Sequence, residues 1–308
     1  MSSVHELAHA KINLYLHVTG RRDDGYHLLD SLAVFAGAAD ELRLSRGAGL
    51  GGHVDLHIEG TFSPGLRDDS ADNLIVRAGA LLREHLGAEA ARHLPDVRIV
   101  LRKELPVASG IGGGSADAAA ALRLLLRAWN LSIPRDALMA LATRLGADVP
   151  VCLDQLSARM EGIGEELSPA PTLPPCGMIL VNCGQSVSTP QVFRTRAPVF
   201  TPRASLPARW DTLADMVRDL SEQTNDLQDA ACAICPEIAT VLDTLRNAPG
   251  CRLARMSGSG ATCYALFDSP AAAQAAGATI SQPDWWVWAG DLCRSGARLA
   301  TAADSLHA

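Results

Sequence analysis

Hydrophobic and polar residues alternate along several stretches of the chain, which is typical of strands with one buried face. The first stretch, at residues 6–19, places Lys11, Asn13 and Tyr15 on one face, and a charged turn at 20–27 returns the chain as a hairpin. Strands are predicted at residues 6–19, 28–36, 53–59, 97–102, 177–182 and 285–288, with two more within 252–267.

Apolar residues three or four positions apart predict helices between these strands. The helices are expected at residues 74–85, 118–130, 134–146, 212–220, 235–245 and 271–280, and another begins within 188–193. Residues 68–73 are expected to form a loop or cap, and 146–150 a short connector. The proline-rich stretch 168–175 predicts a linker or domain edge.

A glycine-rich stretch at residues 106–121 follows the predicted strand 97–102 and leads into a helix. Four glycines there lack the Cβ that would keep a ligand away from the backbone, namely Gly110, Gly112, Gly113 and Gly114. Ser115 and Asp117 are residue types that open helices. Free N–H groups at the start of a helix bind anions, most often phosphate. No lysine follows Gly114, so the stretch is not a Walker loop, and a flexible turn with a capped helix is the alternative.

Three further features have both a functional and a purely structural interpretation. Residues 257–260 place hydroxyls and amides side by side, or form a plain hairpin turn. Asp148, two residues before a proline, is either a helix cap or a carboxylate held rigidly for catalysis. Tyr26 and His27 follow a turn glycine, which aims them into a cleft or leaves them in an exposed loop.

Composition narrows the class of protein. The 308 residues suffice for one large or two ordinary domains, and the net charge of −7 argues against nucleic-acid binding. No apolar run is long enough to span a bilayer, and the first residues lack a signal sequence, so a cytoplasmic protein with no membrane partner is expected. The eight cysteines are expected to be reduced thiols, because Cys232 and Cys235 have no second pair to complete a zinc site.

The chain has only two lysines, Lys11 and Lys103, and arginine stands at every other Lys or Arg position. Two such exceptions suggest sites that need a compact ammonium, although chance would also explain them.

Two glycine-rich loops, a lysine on a strand and an aspartate in a turn are together typical of a phosphoryl-transfer enzyme. The chain resembles the GHMP kinase superfamily, which includes galacto-, homoserine, mevalonate and phosphomevalonate kinases. The resemblance runs from about residue 8 to about 268 and is carried by residues 10–14 with 25–27, 110–118, 146–150 with 159–165, and 255–261, supported by 72–77. It implies an α+β fold of two domains with the active site in the cleft between them. These are a ribosomal S5 domain 2-like domain at 1–165 and a ferredoxin-like domain at 166–308.

Within the superfamily, the first and third blocks resemble the branch that acts on 4-diphosphocytidyl-2-C-methyl-D-erythritol in the non-mevalonate (MEP) isoprenoid pathway. That branch transfers the γ-phosphate of ATP, with Mg²⁺, to the 2-hydroxyl of this small molecule. A kinase of homoserine or a sugar is the first alternative, and a non-catalytic nucleotide-binding GHMP protein is the second. A monomer or a weak homodimer is expected.

The resemblance also implies roles for individual residues. Asp148 would orient or deprotonate the hydroxyl, and Lys11 would stabilise that carboxylate or the transferring phosphoryl group. Contacts to ATP are implied for Asn73, Lys103, Pro106, Ser109, Gly110, Ile111, Gly112, Gly113, Gly114 and Ser115. Contacts to the substrate are implied for Asn13, Tyr26, His27, Thr189 and Phe193. No protein ligand is assigned to a metal.

One position departs from the family pattern. Ala33 stands near the place where the family often has an aromatic residue that stacks on cytosine. Either Phe35 takes over this contact, or the base is held by fewer aromatic walls.

Overall fold

The computed structural model describes residues 4–64, 66 and 72–293. The strands in this part of the chain are β1 (Val4–Arg21), β2 (His27–Leu50), β3 (Val54–Glu59), β4 (Pro95–Arg102), β5 (Ala158–Gly162), β6 (Glu166–Pro169), β7 (Gly177–Asn182), β8 (Leu253–Met256), β9 (Cys263–Phe267) and β10 (Trp286–Asp291). The helices are α1 (Leu74–Leu86), α2 (Ala88–Ala91), α3 (Gly113–Ala128), α4 (Arg135–Leu145), α5 (Val149–Asp154), α6 (Thr189–Thr195), α7 (Leu213–Ser221), α8 (Gln228–Ile234), α9 (Glu237–Arg246) and α10 (Pro270–Gly277). Most of the loop predicted at 68–73 lies outside the described residues, as do the two ends of the predicted domains, 1–3 and 294–308.

The first sheet has the strand order β3-β4-β2-β5-β6, and β1 pairs with β2. Helix α3 packs against β1 and is buried along almost its whole length. A run of four alanines, residues 118–121, has no exposed surface and lets this helix approach the sheet closely. The start of α3 is therefore held firmly by the core of the first half.

The second sheet is antiparallel with the order β10-β7-β9-β8. Helices connect β7 to β8 and β9 to β10, which is the ferredoxin-like arrangement expected from the family resemblance. Helices α9 and α10 pack against this sheet around buried residues such as Ile238, Val241 and Phe267.

A third apolar cluster joins the two sheets. It contains Ile12 and Leu14 of β1 together with Met178 of β7 and Tyr264 of β9. The Tyr264 hydroxyl donates a hydrogen bond to the Leu14 carbonyl at 2.6 Å. The two halves are thus packed directly on each other, and the long β1–β2 hairpin contributes to both.

Two boundaries in the structure differ from the predicted ones. Strand β6 lies after the expected boundary at residue 165 but pairs with β5, so the chain changes sheet between Pro169 and Gly177. This change falls in the proline-rich stretch that was predicted to be a linker. The segment 146–150, predicted as a connector, instead contains the start of α5, because proline is well tolerated in the first turn of a helix.

A β-bulge changes the face on which Tyr15 lies. The register of β1 against β2 shifts between Asn13 and Leu16, so one extra residue of β1 is accommodated. Tyr15 is consequently buried, with its hydroxyl donating to Asp30 at 3.1 Å, and Leu16 faces the cavity described below. The prediction that Tyr15 shares the face of Lys11 and Asn13 was therefore wrong.

Candidate active site

A cavity of about 1080 Å³ is lined by residues of both halves. It receives side chains from β1, from the turn after β1, from the glycine stretch and from α6. Thirteen of the residues implied by the resemblance line it: Lys11, Asn13, Tyr26, His27, Ser109, Gly110, Gly112, Gly113, Gly114, Ser115, Asp148, Thr189 and Phe193. The remaining four, Asn73, Lys103, Pro106 and Ile111, are not part of its wall.

Lys11 and Asp148 form an ion pair in this wall, with 3.0 Å between Nζ and Oδ2. The Lys11 side chain is 5% exposed, whereas that of Asp148 is 36% exposed. Lys11 also donates to Asn13 Oδ1 at 2.9 Å, and Asn13 Nδ2 donates to Ser31 Oγ at 2.7 Å. The ammonium is thus fixed by two partners, while the carboxylate keeps access to the cavity.

Asp148 precedes α5 directly, yet its side chain makes no capping hydrogen bond to that helix. The helix-cap interpretation of this residue is therefore excluded. The carboxylate is directed to Lys11 and the cavity instead.

The glycine stretch brings the start of α3 next to this ion pair. The helix begins at Gly113, five residues before its predicted start, after Gly112 in a left-handed conformation (φ +64°). A Cβ on Gly112 would lie 3.2 Å from Lys11 Cε and 3.9 Å from Asp148 Oδ2. The first-turn N–H groups of a 16-residue helix and the Lys11–Asp148 pair therefore meet at one place. Such a site favours an anion beside the ammonium.

The second glycine-rich loop, residues 257–260, is a hairpin turn that also holds the first loop. The Ser257 hydroxyl donates to the Gly110 carbonyl at 3.0 Å and accepts from the Asn13 N–H at 3.0 Å. Ser259 Oγ lies 2.6 Å from Thr189 Oγ1 on α6. These contacts link the glycine loop, β1 and the second half of the chain.

An aromatic pair lies elsewhere in the same cavity. The rings of His27 and Phe193 are stacked, with 4.9 Å between their centroids and 24° between their planes. Tyr26 is 60% exposed beside them. Burial, followed by the positive charges of Arg196 and Arg21, lowers the pKa of His27, so the ring is neutral at pH 7.

The placement of Lys103 does not support its expected contact with a nucleotide. It is buried under the start of α3, with Nζ 2.5 Å from Asp40 Oδ2 and 2.7 Å from Asp117 Oδ2. Asp40 also accepts the backbone N–H groups of residues 104 and 105 at 2.6 and 2.8 Å. Burial raises the pKa of Asp117 to about 8. The cluster of Lys103, Asp40 and Asp117 thus packs against the start of α3 and stabilises the backbone of the glycine loop.

The other three residues outside the wall make hydrogen bonds that fix the local backbone conformation. Asn73 accepts from the Ile75 N–H at the start of α1, the Ile111 carbonyl accepts from the Lys11 N–H, and the Pro106 carbonyl accepts from the Ser109 hydroxyl. Phe35 is 1% exposed in the core, so it does not take over the aromatic contact.

Comparisons with known proteins identify the family. The family model for the N-terminal domain of GHMP kinases matches residues 73–155, and the model for the C-terminal domain matches residues 204–283. The chain belongs to the GHMP kinases. Within the described residues, no group of three or more His, Cys, Asp or Glu side chains is arranged to hold a metal ion in this GHMP kinase. Of its helices in the same part of the chain, none combines the length and apolar character needed to cross a bilayer.

Curated relatives of this GHMP kinase carry one name. A protein of Gluconacetobacter diazotrophicus named 4-diphosphocytidyl-2-C-methyl-D-erythritol kinase is 66% identical over 94% of this chain and 95% of its own. A protein of Granulibacter bethesdensis with the same name is 52% identical, with 95% of each chain covered.

Solved structures agree on the fold. A crystal structure of 4-(cytidine 5'-diphospho)-2C-methyl-D-erythritol kinase matches with a TM-score of 0.73 and 32% identity, covering 94% of this chain and 99% of that one. Homoserine kinase from Cytophaga hutchinsonii matches with a TM-score of 0.68 and 17% identity, covering 96% of each chain, which is a likeness of fold alone.

Proposed function

We propose that this GHMP kinase transfers the γ-phosphate of ATP to the 2-hydroxyl of 4-diphosphocytidyl-2-C-methyl-D-erythritol, giving the 2-phosphate and ADP in the MEP isoprenoid pathway. The observation that carries the proposal is the Lys11–Asp148 pair, 3.0 Å apart, beside the glycine-bordered start of α3. The substrate follows from the name of the relative with 66% identity. We also infer that the reaction takes place in the cytoplasm.

The chemistry assigned to each group follows from charge and position. Phosphoryl transfer passes through a loose transition state, in which catalysis is mostly alignment and charge stabilisation. The N–H groups at the start of α3 bind the phosphates, and Lys11 stabilises the charge on the transferring group. Asp148 accepts a hydrogen bond from the acceptor hydroxyl and takes its proton as the new P–O bond forms.

Magnesium is expected to accompany ATP. This ion is usually held by one or two protein oxygens together with substrate phosphates. The donors beside the glycine loop, Ser115 and Asp148, fit that pattern because they are few and oxygen-based. When bound, the ion would neutralise phosphate charge.

His27 and the aromatic rings provide the site for cytosine. A neutral imidazole offers one donor and one acceptor, which suits the edge of a base. Tyr26, Phe193 and Phe200 are aromatic side chains of the cavity wall, and the first two flank His27 in sequence or in space, whereas Phe35 is buried in the core. The His27–Phe193 stack must rearrange for a ring to enter between them, because their centroids are only 4.9 Å apart.

A kinase assay with a panel of alcohols tests the function. The purified enzyme is supplied with ATP and, in separate reactions, 4-diphosphocytidyl-2-C-methyl-D-erythritol, homoserine, mevalonate or galactose. ADP release is expected with the first compound alone. Equal or faster turnover of another alcohol would reassign the substrate, and no turnover of any would favour a nucleotide-binding protein without kinase activity.

Gly110→Ala is expected to raise the KM for ATP by about tenfold, which corresponds to about 1.4 kcal/mol. Gly110 has a φ of +77°, and a Cβ there would lie 2.5 Å from the Ser257 carbonyl oxygen and 2.7 Å from the Gly260 nitrogen. The substitution would push apart the two glycine-rich loops. Steady-state kinetics at varied ATP measures the effect.

Gly87→Ala is the matched control for this substitution. Gly87 has a similar φ of +81°, but a Cβ there would meet nothing within 4 Å. It should lower the free energy of unfolding by about 1–2 kcal/mol through backbone strain and leave the KM for ATP unchanged. An unchanged KM in Gly110→Ala would contradict the role given to the loop.

A further inference from the structure

The charges that line the active-site cavity do not balance. Its two carboxylates are each paired with a cation: Asp148 with Lys11 at 3.0 Å, and Asp24 with Arg22 at 2.7 Å. Beyond these pairs, the wall contains three guanidinium groups, those of Arg21, Arg194 and Arg196.

None of these three arginines has a carboxylate oxygen within 4.0 Å among the residues that the structure describes. Many other arginines of the chain do, as Arg98 with Asp55 and Arg252 with Asp268 show. The chain as a whole has a net charge of −7. A local excess of unpaired positive charge inside a cavity of an acidic protein favours an anionic ligand.

The three arginines line the same cavity as the His27–Phe193 stack. Arg21 lies directly opposite His27 in the β1–β2 register. Arg194 follows Phe193 on α6, and the charges of Arg196 and Arg21 are both close enough to lower the pKa of His27. A ligand that extends from this stack along the cavity wall therefore passes groups of all three.

Arg196 is held in place and still has donors to spare. It is 8% exposed, and its terminal nitrogens donate to the Ala197 and Val199 carbonyls at 2.7 and 2.8 Å. Its buried Nε has no hydrogen-bond partner among the described residues. Each terminal nitrogen of a guanidinium has two N–H donors and uses one here, so a preorganised group with one further donor on each terminal nitrogen remains at the cavity wall.

Asp226 attracts Arg196 over a longer distance but does not satisfy it. One oxygen of this carboxylate accepts from the Val18 N–H at 2.7 Å and the other from the Thr224 hydroxyl at 2.7 Å. Asp226 therefore has its own partners, and the charge of Arg196 remains available to a ligand.

We propose that Arg21, Arg194 and Arg196 bind the diphosphate of the cytidine diphosphate substrate, as a second anion site in addition to the glycine loop at α3. The identity of the nucleoside rests on the proposed function above. A diphosphate fits because guanidinium groups bind phosphate oxygens in pairs, and because the neutral ring of His27 beside them is suited to the attached base. These residues select the substrate and take no part in the phosphoryl transfer.

Binding of CDP and CMP, measured by isothermal titration calorimetry, tests this site. The glycine loop is first filled with a saturating non-hydrolysable ATP analogue, so that both probes report on the other end of the cavity. The wild-type enzyme should bind CDP at least about tenfold more tightly than CMP, because charge-assisted hydrogen bonds to the second phosphate are strong. Arg194→Gln should reduce this preference by several-fold, and a variant with all three arginines changed to Gln should abolish it.

Arg194 is exposed and supports no buried contact, so its variant is expected to fold even if the triple variant does not. Arg252→Gln, which removes one exposed charge outside the cavity, should leave both affinities unchanged. A CDP preference that survives in Arg194→Gln and in the triple variant would overturn the proposal, as would a wild-type enzyme that binds CDP and CMP equally.

The same measurements separate this site from the proposed function. If the enzyme prefers CDP through these arginines but does not phosphorylate 4-diphosphocytidyl-2-C-methyl-D-erythritol, the anion site stands and the proposed reaction fails. If it phosphorylates that substrate and the arginine variants keep the wild-type KM and CDP preference, the reaction stands and the anion site fails.

Discussion

Asp148→Asn is expected to lower kcat by about 10²- to 10⁴-fold while the KM for ATP changes little, because a positioned acid–base group contributes about this much. The amide keeps the shape of the side chain but cannot take the proton of the acceptor hydroxyl. Lys11→Met should lower kcat by at least about 10²-fold, since it removes the one lysine among the described residues of the cavity wall. Single-turnover phosphorylation of the substrate, with both ligands saturating, measures these changes.

Asp154→Asn is the control for this pair of variants. Asp154 is at the other end of the same short helix, α5, and forms an ion pair with Arg135 away from the cavity. Its loss should leave kcat within about twofold, because a surface ion pair contributes little. Near-normal turnover in both Asp148→Asn and Lys11→Met would remove the mechanism proposed here.

Lys103→Met is expected to lower the free energy of unfolding by about 3–5 kcal/mol, because removing one partner of a buried ion pair leaves uncompensated charge. The carboxylate of Asp40 is fully buried and relies on this ammonium, whereas Asp117, with its pKa raised to about 8 by burial, is mostly protonated at pH 7 and adds a hydrogen bond to the cluster. Chemical denaturation followed by circular dichroism measures the loss.

A triple variant tests whether this loss of stability comes from uncompensated charge. Changing Asp40 and Asp117 to Asn together with Lys103→Met removes the uncompensated carboxylate of Asp40 and the adjacent carboxyl of Asp117, and should recover a large part of the loss. Exposed Arg98→Met, which breaks a surface pair with Asp55, should change the free energy of unfolding by less than about 1 kcal/mol. A loss of that small size in Lys103→Met would show that the buried cluster does not stabilise the fold.

Much of the fold could be predicted from local patterns. Alternation located β3 and β4, and apolar spacing located α1, α7 and α9, because these elements bury one face each. Alternation also located β1, and a continuous apolar run located β7, although β7 and much of β1 are buried on both faces. The first turn of α3 was missed because Gly112, Gly113 and Gly114 have low helix propensity. That turn is stabilised by the packing of the alanine-rich helix against β1 and by the buried Lys103 cluster, which no local pattern reveals.

The centre of the candidate site could be predicted because its residues stand in family blocks. Lys11 and Asp148 are 137 positions apart, and only the resemblance suggested that they meet. The burial of Lys103 between Asp40 and Asp117 could not be predicted, because sequence alone does not say whether a cation faces a ligand or two buried carboxylates. Arg194 and Arg196 were overlooked for the opposite reason, since most arginines of this chain are ordinary surface residues and nothing local distinguishes these two.

Both lysines of the chain are nearly inaccessible, with 4% exposure for Lys11 and 3% for Lys103. An amine-reactive label or cross-linker therefore finds no lysine on the surface of the folded enzyme. Modification of Lys103 would report global unfolding, and faster modification of Lys11 alone would report opening of the cavity. Mass spectrometry of two peptides would thus follow both events in one sample, without any engineered probe.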